Sequence, residues 1–311
     1  MEPQVESNFL LMVPILMVFK NFFHRLCGKY LILRGFEEKL LIHNIKKADK
    51  KGFKEAKEKL TALFDNPKDF PLFKGIELEM HNRCNNNCSF CPVRVGNDTR
   101  EYSKMSYELF IKIIDELASI NYKSSFSLFS NNEPLMDKRF VEFAKIAKEK
   151  LPNANHYIYT NGLLLTVDLF KEISKYLDLI VIDNYDDNLQ MIPQVKKIDK
   201  FCKENPEYFK KIKISMRLKN QILLSRGGQS PNRKHAITLE TPCRLPFEQL
   251  IIRPDGKISL CCNDALGKMT LGDVSKDTLV NIWNSPSYFE IRRKSLNSRN
   301  NIQLCKNCDL L

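Results

Sequence analysis

The stretch MHNRCNNNCSFCPV, residues 80–93, gathers three cysteines at one point: Cys84, Cys88 and Cys91 read C-x3-C-x2-C. A thiolate is a metal ligand, and three of them with no fourth close behind leave one coordination position open. Two centres use such a set. Zinc would recruit a fourth ligand nearby, for which His81 stands closest, whereas an iron–sulfur cluster can keep one iron free of protein to bind a small molecule. A second set, Cys243, Cys261, Cys262, Cys305 and Cys308, lies in the last 70 residues, and its final pair forms C-x2-C. Four thiolates from two distant segments close a full shell, which suits a structural or electron-carrying centre rather than a substrate site. Cys27 and Cys202 fit neither set and read as buried apolar residues.

The elements that must position these residues follow from hydrophobic periodicity. Strands are predicted at 75–80, 125–130, 156–160, 179–185 and 211–218, alternating with helices at 106–120, 138–151, 166–177 and near 191–204. Repeated β–α units with short connections imply a parallel sheet covered by helices. Five units are too few to close an eight-stranded barrel, so the expectation is an open, partial barrel with its functional residues at the C-terminal strand ends. Cys84–Cys91 follow the first strand, SNNEPL (130–135) the second and YTNG (159–162) the third. Asp183 and Tyr185 end the fourth strand, and Ser215 and Arg217 alternate onto one face of the fifth. The polar, Gly- and Pro-containing stretch 220–235 reads as a linker, 247–262 as a hairpin turning on RPDGK, and 276–294 as a short helix. The expected divisions are a helical, basic segment over 1–74, a partial barrel over 75–225 and a C-terminal module over 226–311.

With 311 residues, 43% apolar and 28% charged, the chain has the mix of a globular protein with a sizeable core. Its formal charge is +12, which suits an anionic substrate or surface. The lysines, however, are scattered beside glutamates, as in KKADKKGFKEAKEK (46–59), and no basic stripe interleaved with aromatics argues for nucleic acid. Residues 9–19, FLLMVPILMVF, follow Glu2 and Glu6 rather than a basic region, precede no small-residue cleavage site and are too short to span a bilayer. The expectation is a cytoplasmic protein with reduced cysteines. Residues 8–35, with Lys20, Arg25, Lys29 and Arg34 among aromatics, suit either a peripheral membrane contact or packing on the chain's own domain.

The C-x3-C-x2-C motif, with Phe90 before its last cysteine, resembles that of the radical S-adenosylmethionine (radical SAM) superfamily. The resemblance covers roughly residues 75–311 and implies that Cys84, Cys88 and Cys91 hold a [4Fe–4S] cluster whose fourth iron chelates S-adenosylmethionine. Cleavage of that cofactor then yields a 5′-deoxyadenosyl radical that takes hydrogen from substrate. It also implies that Glu133 receives the cofactor's ammonium group and that Asn131, Asn132, Pro134 and Asn161 border it. Asn131 and Asn132 stand where the family has two glycines, a departure that bears on how closely the backbone approaches the ligand. Ser215 and Arg217 are candidates for the cofactor's carboxylate or ribose. The segment CRLPFEQLIIRPDGKISLCCND, with the later LGDV and Trp283, resembles the SPASM/twitch extension of that superfamily. The eighteen-residue spacing of Cys243 and Cys261 is similar to that in a twitch-type aminocyclitol dehydrogenase. This implies one auxiliary [4Fe–4S] cluster on Cys243, Cys261, Cys305 and Cys308, with structural zinc as the rival.

The implied activity is oxidation of a secondary alcohol on a sugar or cyclitol, with the auxiliary cluster taking an electron and Asp183 as the base. Arg217, always protonated, can only steer an anionic substrate or steady developing oxyanion charge. A peptide-modifying enzyme, an epimerase using Cys262 or Cys202 as hydrogen donor, and a cluster carrier are the other classes. The resemblance further implies a small-molecule substrate and an external electron donor such as flavodoxin or ferredoxin.

Overall fold

The computed structural model describes residues 31–64 and 70–311. Its centre is an eight-stranded sheet of order β5-β4-β3-β2-β1-β6-β7-β8. The strands are β1 (Gly75–Leu78), β2 (Ser125–Ser127), β3 (Asn155–Thr160), β4 (Leu179–Tyr185), β5 (Ile212–Arg217), β6 (Gln249–Ile252), β7 (Lys257–Ser259) and β8 (Thr270–Asp273). From β5 to β6 every pairing is parallel, and β7 and β8 join antiparallel. The six parallel strands are the partial barrel foreseen from the β–α repeats.

The sixth parallel strand comes from the predicted hairpin. β6 pairs with β1 from Gly75↔Gln249 to Leu78↔Ile252, so the C-terminal module continues the barrel sheet. Strand β8 was not foreseen. One helix was expected over 276–294, but the chain forms α6 (Leu279–Trp283) and α7 (Pro286–Asn297). Pro286 has no N–H to continue the first helix, and Ser285 caps the second by accepting from Tyr288 N–H at 3.4 Å.

The outer layer is α2 (Tyr107–Ser119), α3 (Phe140–Lys150), α4 (Val167–Ile173) and α5 (Pro193–Glu204). Ser106 and Thr166 cap α2 and α4, each accepting a backbone N–H at 3.1 Å. Strand alternation sorts the faces. Ile76, Leu78 and Met80 go to the helix side, where Phe110 of α2 stacks on Phe143 of α3 at 4.2 Å. Glu77, Glu79 and His81 therefore face the barrel interior.

The basic preface contributes α1 (Leu31–Phe64). Its buried Glu38 accepts from the backbone N–H groups of Lys234 and His235 and from the Arg233 guanidinium, at 2.9–3.0 Å. Its Asp49 accepts from Glu240 and Thr241 N–H at 2.9 Å. Most of the segment 8–35, expected to touch a membrane or pack on its own domain, lies outside the described residues. Among the described residues no helix is long and apolar enough to cross a membrane.

Candidate active site

The loop after β1 carries Cys84, Cys88 and Cys91 to the C-terminal ends of the strands, where all three line one cavity. Cys91 N–H closes a turn on Cys88 O at 3.0 Å. The loop is clasped from the far side of the sequence: Ser89 N–H donates to Lys219 O at 2.8 Å and Ser230 Oγ to Phe90 O at 2.8 Å. Burial and the neighbouring thiols push the Cys84 thiol up to about 12 and the Cys88 thiol higher still. Such thiols ionise in place only beside a compensating cation, which a metal centre supplies.

Glu133 is buried across the cavity. Its carboxylate accepts from Thr160 Oγ1 at 2.7 Å, Asn161 N–H at 2.8 Å and Leu135 N–H at 3.2 Å. Burial outweighs these donors and raises it to about 7. Asn161 links both sides, donating from Nδ2 to Asn85 Oδ1 at 2.8 Å and lying 3.9 Å from Cys84 Sγ. The turn needs the next residue to be glycine: Gly162 has φ +76, and a Cβ there would meet Val195 at 2.8 Å. His81 is spoken for elsewhere. Its Nδ1 accepts from Arg83 N–H at 3.2 Å, so Nε2–H donates to Glu133 O at 3.1 Å. This removes the local fourth ligand that a zinc reading requires.

Asn131 and Asn132 do not adopt the positive φ that would demand glycine. Asn131 Nδ2 reaches Cys262 O at 3.1 Å, and Asn132 Oδ1 accepts from Ser130 N–H at 3.2 Å. Phe90 lines the cavity with its ring 5.6 Å from that of Tyr185, and Pro134 begins the turn after Glu133. Asp183 lines it too, but accepts from Arg217 Nε at 2.9 Å and from the Tyr185 hydroxyl at 3.3 Å. Ser215 and Arg217 lie outside the cavity lining.

Arg226 was missed in the sequence. The stretch around it is no mere linker: Ser225, Gly227, Gln229 and Ser230 are buried. Arg226 has φ +51, followed by Gly227 at +63 and Gly228 at +79. A left-handed arginine is strained, and this turn holds it against the cavity. Its Nη2 donates to Asn131 Oδ1 and, at 2.9 Å, to Cys262 O, while its buried Nε has no protein partner. The Arg-Gly-Gly sequence was the available signal.

The second set lies in the C-terminal part of the molecule. Cys243, Cys261, Cys305 and Cys308 are all buried free thiols, and Cys261 and Cys305 share an apolar cluster with Leu260, Ile291, Ile302 and Leu304. Each of the other three adds to the burial that holds Cys261 protonated. Cys262 is half-buried and faces Glu77 and Arg226 as well as Cys243, and it too adds to the burial that raises Cys261.

Both donor sets fit iron–sulfur clusters. The first offers three thiols and buried unpartnered atoms, Asn132 Nδ2 and Arg226 Nε, beside one cavity; the second offers four thiols in an apolar shell. Among the described residues no three His, Cys, Asp or Glu side chains converge as for a single metal ion.

The family model of the radical SAM superfamily matches residues 78–218, and that of the SPASM iron–sulfur cluster-binding domain matches residues 243–309. The chain is 25% identical over 241 residues to the S-adenosyl-L-methionine-dependent 2-deoxy-scyllo-inosamine dehydrogenase of Niallia circulans, covering 76% of this chain and 93% of that protein. The crystal structure of BtrN in complex with AdoMet and 2-DOIA superposes with a TM-score of 0.67 at 24% identity, over 78% of this chain and 94% of that one. Native anSMEcpe with bound AdoMet gives a TM-score of 0.52 at 14% identity, over 76% and 89%. These two structures are alike in fold. Two adjoining family matches, each containing its own set of thiols, make this chain a radical SAM enzyme with a C-terminal SPASM domain, dependent on S-adenosylmethionine and iron–sulfur clusters.

Proposed function

We propose that this enzyme oxidises a secondary alcohol of a sugar or cyclitol to a ketone. The observation that carries the reading is the pairing of two unlike thiol sets. Cys84, Cys88 and Cys91 are three thiols beside a cavity, whereas Cys243, Cys261, Cys305 and Cys308 are four buried thiols, enough for a complete shell, in the part of the chain whose strands extend the same sheet. A fully ligated cluster is suited to receive an electron rather than to bind substrate. The likeness over 241 residues to a dehydrogenase of 2-deoxy-scyllo-inosamine supports the same chemistry.

In this reading Cys84, Cys88 and Cys91 hold the first cluster and Cys243, Cys261, Cys305 and Cys308 the auxiliary one. Bound there, S-adenosylmethionine and its cluster supply hydrogen-atom abstraction from a substrate carbon. Glu133 takes the cofactor's ammonium group, a charge-assisted contact for which its buried carboxylate is already oriented. Asn161 holds the cysteine loop beside it. Phe90, Asn131, Asn132 and Pro134 shape the cofactor's surroundings. Arg226 presents an unpartnered Nε–H to a hydroxyl or anionic group of the substrate. Arg217 and Tyr185 occupy Asp183, which supports a positioning role for that residue, with Ser215 beside it in register. A low-potential donor such as flavodoxin or ferredoxin would feed the first cluster, and a reducing cytoplasm suits the nine free cysteines of the described residues.

The test is an anaerobic incubation with candidate sugars and cyclitols, beginning with 2-deoxy-scyllo-inosamine. The expected product is a ketone two hydrogens lighter, formed with one 5′-deoxyadenosine. A product of unchanged mass carrying one solvent deuterium on carbon would instead make the enzyme an epimerase, with Cys262 beside Glu77 and Arg226 as the hydrogen donor.

A further inference from the structure

Alcohol oxidation by hydrogen-atom loss from carbon also releases a hydroxyl proton, and the reading above leaves that proton without an acceptor. Asp183, the residue first expected to take it, is engaged by Arg217 and Tyr185. A second carboxylate lies on the floor of the barrel. Glu77, on β1, faces inward and is almost wholly buried. Its Oε2 accepts from Ser130 Oγ at 2.8 Å, and its Oε1 accepts from Gln249 Nε2 at 2.8 Å. Gln249 is oriented in turn, because its Oε1 accepts from Cys262 N–H at 3.2 Å. Ser130 lines the cavity that holds Cys84, Glu133 and Arg226. One hydroxyl therefore separates Glu77 from the cavity.

We propose that Ser130 and Glu77 form the proton exit of this site: the Ser130 hydroxyl accepts the substrate's O–H proton while passing its own to the Glu77 carboxylate. The proposal rests on the alcohol-oxidation reading. The balance closes. The carbon-bound hydrogen leaves as an atom to the 5′-deoxyadenosyl group, the oxygen-bound hydrogen leaves as a proton to Glu77, and the remaining electron goes to an iron–sulfur cluster. The substrate C–O bond becomes C=O, and Glu77 gains an O–H.

The surroundings suit an acceptor that works near neutrality. Burial pushes the Glu77 carboxyl up to about 7, against the opposing Ser130 hydrogen bond and Arg226 charge. The other groups facing it are Tyr157 and Tyr159 of β3 and Cys262 after β7. All three are raised by burial and stay neutral through this range. Glu79, the next inward-facing residue just past β1, is likewise raised to about 7 by burial but is held by Arg100 through two contacts of 3.0 Å. A carboxylate accepts a proton only when ionised, so ketone formation should fall as pH drops below about 7.

The experiment uses the reconstituted full chain with 2-deoxy-scyllo-inosamine deuterated on every carbon. In the wild type, deuterium enters 5′-deoxyadenosine and each 5′-deoxyadenosine accompanies one ketone. In Glu77→Gln and Ser130→Ala, deuterium transfer should persist while ketone per 5′-deoxyadenosine falls by about a hundredfold. The acid limb of the ketone-to-5′-deoxyadenosine ratio, which turnovers lost through protonation of Glu133 do not enter, should vanish, and Glu77→Asp should restore part of the yield. Independently of turnover, infrared titration of the unloaded protein should show protonated-carboxyl intensity that disappears near pH 7, shared by Glu77, Glu79 and Glu133, and Glu77→Gln should remove the Glu77 share of it while leaving the other two. A wild type that makes no ketone, with deuterium transfer intact, overturns the oxidation reading and the relay with it. A wild type that makes ketone, with Glu77→Gln making as much per 5′-deoxyadenosine and keeping the acid limb, overturns the relay alone.

Discussion

Glu133 shows how a residue's role follows from its donors. Thr160, Asn161 and Leu135 aim three hydrogen bonds at its carboxylate, yet burial still keeps it near the edge of ionisation. An incoming ammonium group therefore finds an oriented partner that lacks only a counter-charge. Glu133→Gln keeps the shape and removes the charge. Losing a charge-assisted hydrogen bond costs roughly 1.5–3 kcal/mol, so S-adenosylmethionine should bind about ten- to hundredfold more weakly, with iron content unchanged, as read by equilibrium dialysis of reconstituted protein. Unchanged affinity would remove Glu133 from the cofactor site. The cysteines give the complementary result: replacing Cys84, Cys88 and Cys91 together by alanine should halve the iron and abolish cofactor cleavage while the C-terminal cluster remains. Arg226 belongs to this scale as well, since a strained arginine persists only where surrounding structure holds it.

Among the elements, α1 does the least expected work. Its Glu38 is buried against Arg233, whose guanidinium reaches Glu38 at 2.9 Å and Asp309 at 2.7 Å. Asp309 follows Cys308 and also accepts from Ser225 N–H at 2.7 Å, so one arginine ties the preface helix to the last cysteine pair. Breaking a buried ion pair from one side leaves a charge unpaired and costs about 3–5 kcal/mol. Glu38→Gln and Arg233→Gln should each lower the melting temperature. In both, iron should be lost first from the site of Cys243, Cys261, Cys305 and Cys308, seen as a fall toward half the iron with cofactor cleavage retained. Equal loss from both sites would show that α1 only stabilises the fold. The stacked rings of Phe110 and Phe143 join α2 to α3 on the helix side of the sheet. Phe143→Ala should cost about 3–5 kcal/mol in chemical denaturation without altering the iron ratio.

At the scale of the molecule, one sheet carries both centres. The first thiol set follows β1, and Cys261 and Cys262 follow β7, which is joined to β1 through β6. The positions are fixed by hydrogen-bonded strands rather than by a hinge between separate bodies. Anaerobically reconstituted protein should therefore hold about eight iron and eight sulfide per chain, from two four-iron clusters. One zinc per chain without sulfide would contradict it. The positive chain, at +12, adds a long-range pull on anionic substrates, which should appear as a KM that rises with salt for a phosphorylated substrate and stays flat for a neutral one.

The cysteine motif, the β–α repeat and the glycine after Asn161 were legible in the sequence because each is local: ligand spacing, periodicity and a turn are written in consecutive residues. The hairpin was legible for the same reason, but its union with β1 was not, since Gly75 and Gln249 meet only when the barrel closes. Alternation along β1 puts Glu77, Glu79 and His81 on one face, yet only the packed helices show that this face is the interior. Arg226, Glu77 and Gln249 sit in loops and strands that look unremarkable by themselves. Their chemistry arises from burial and from partners between 13 and 172 positions away in the chain, and such contacts leave no periodic trace in the sequence. The sequence by itself determined where thiol ligands gather and at what spacing; the tertiary structure engaged His81 elsewhere and decided which polar groups share the cavity, because desolvation and pairing exist only once the barrel has formed.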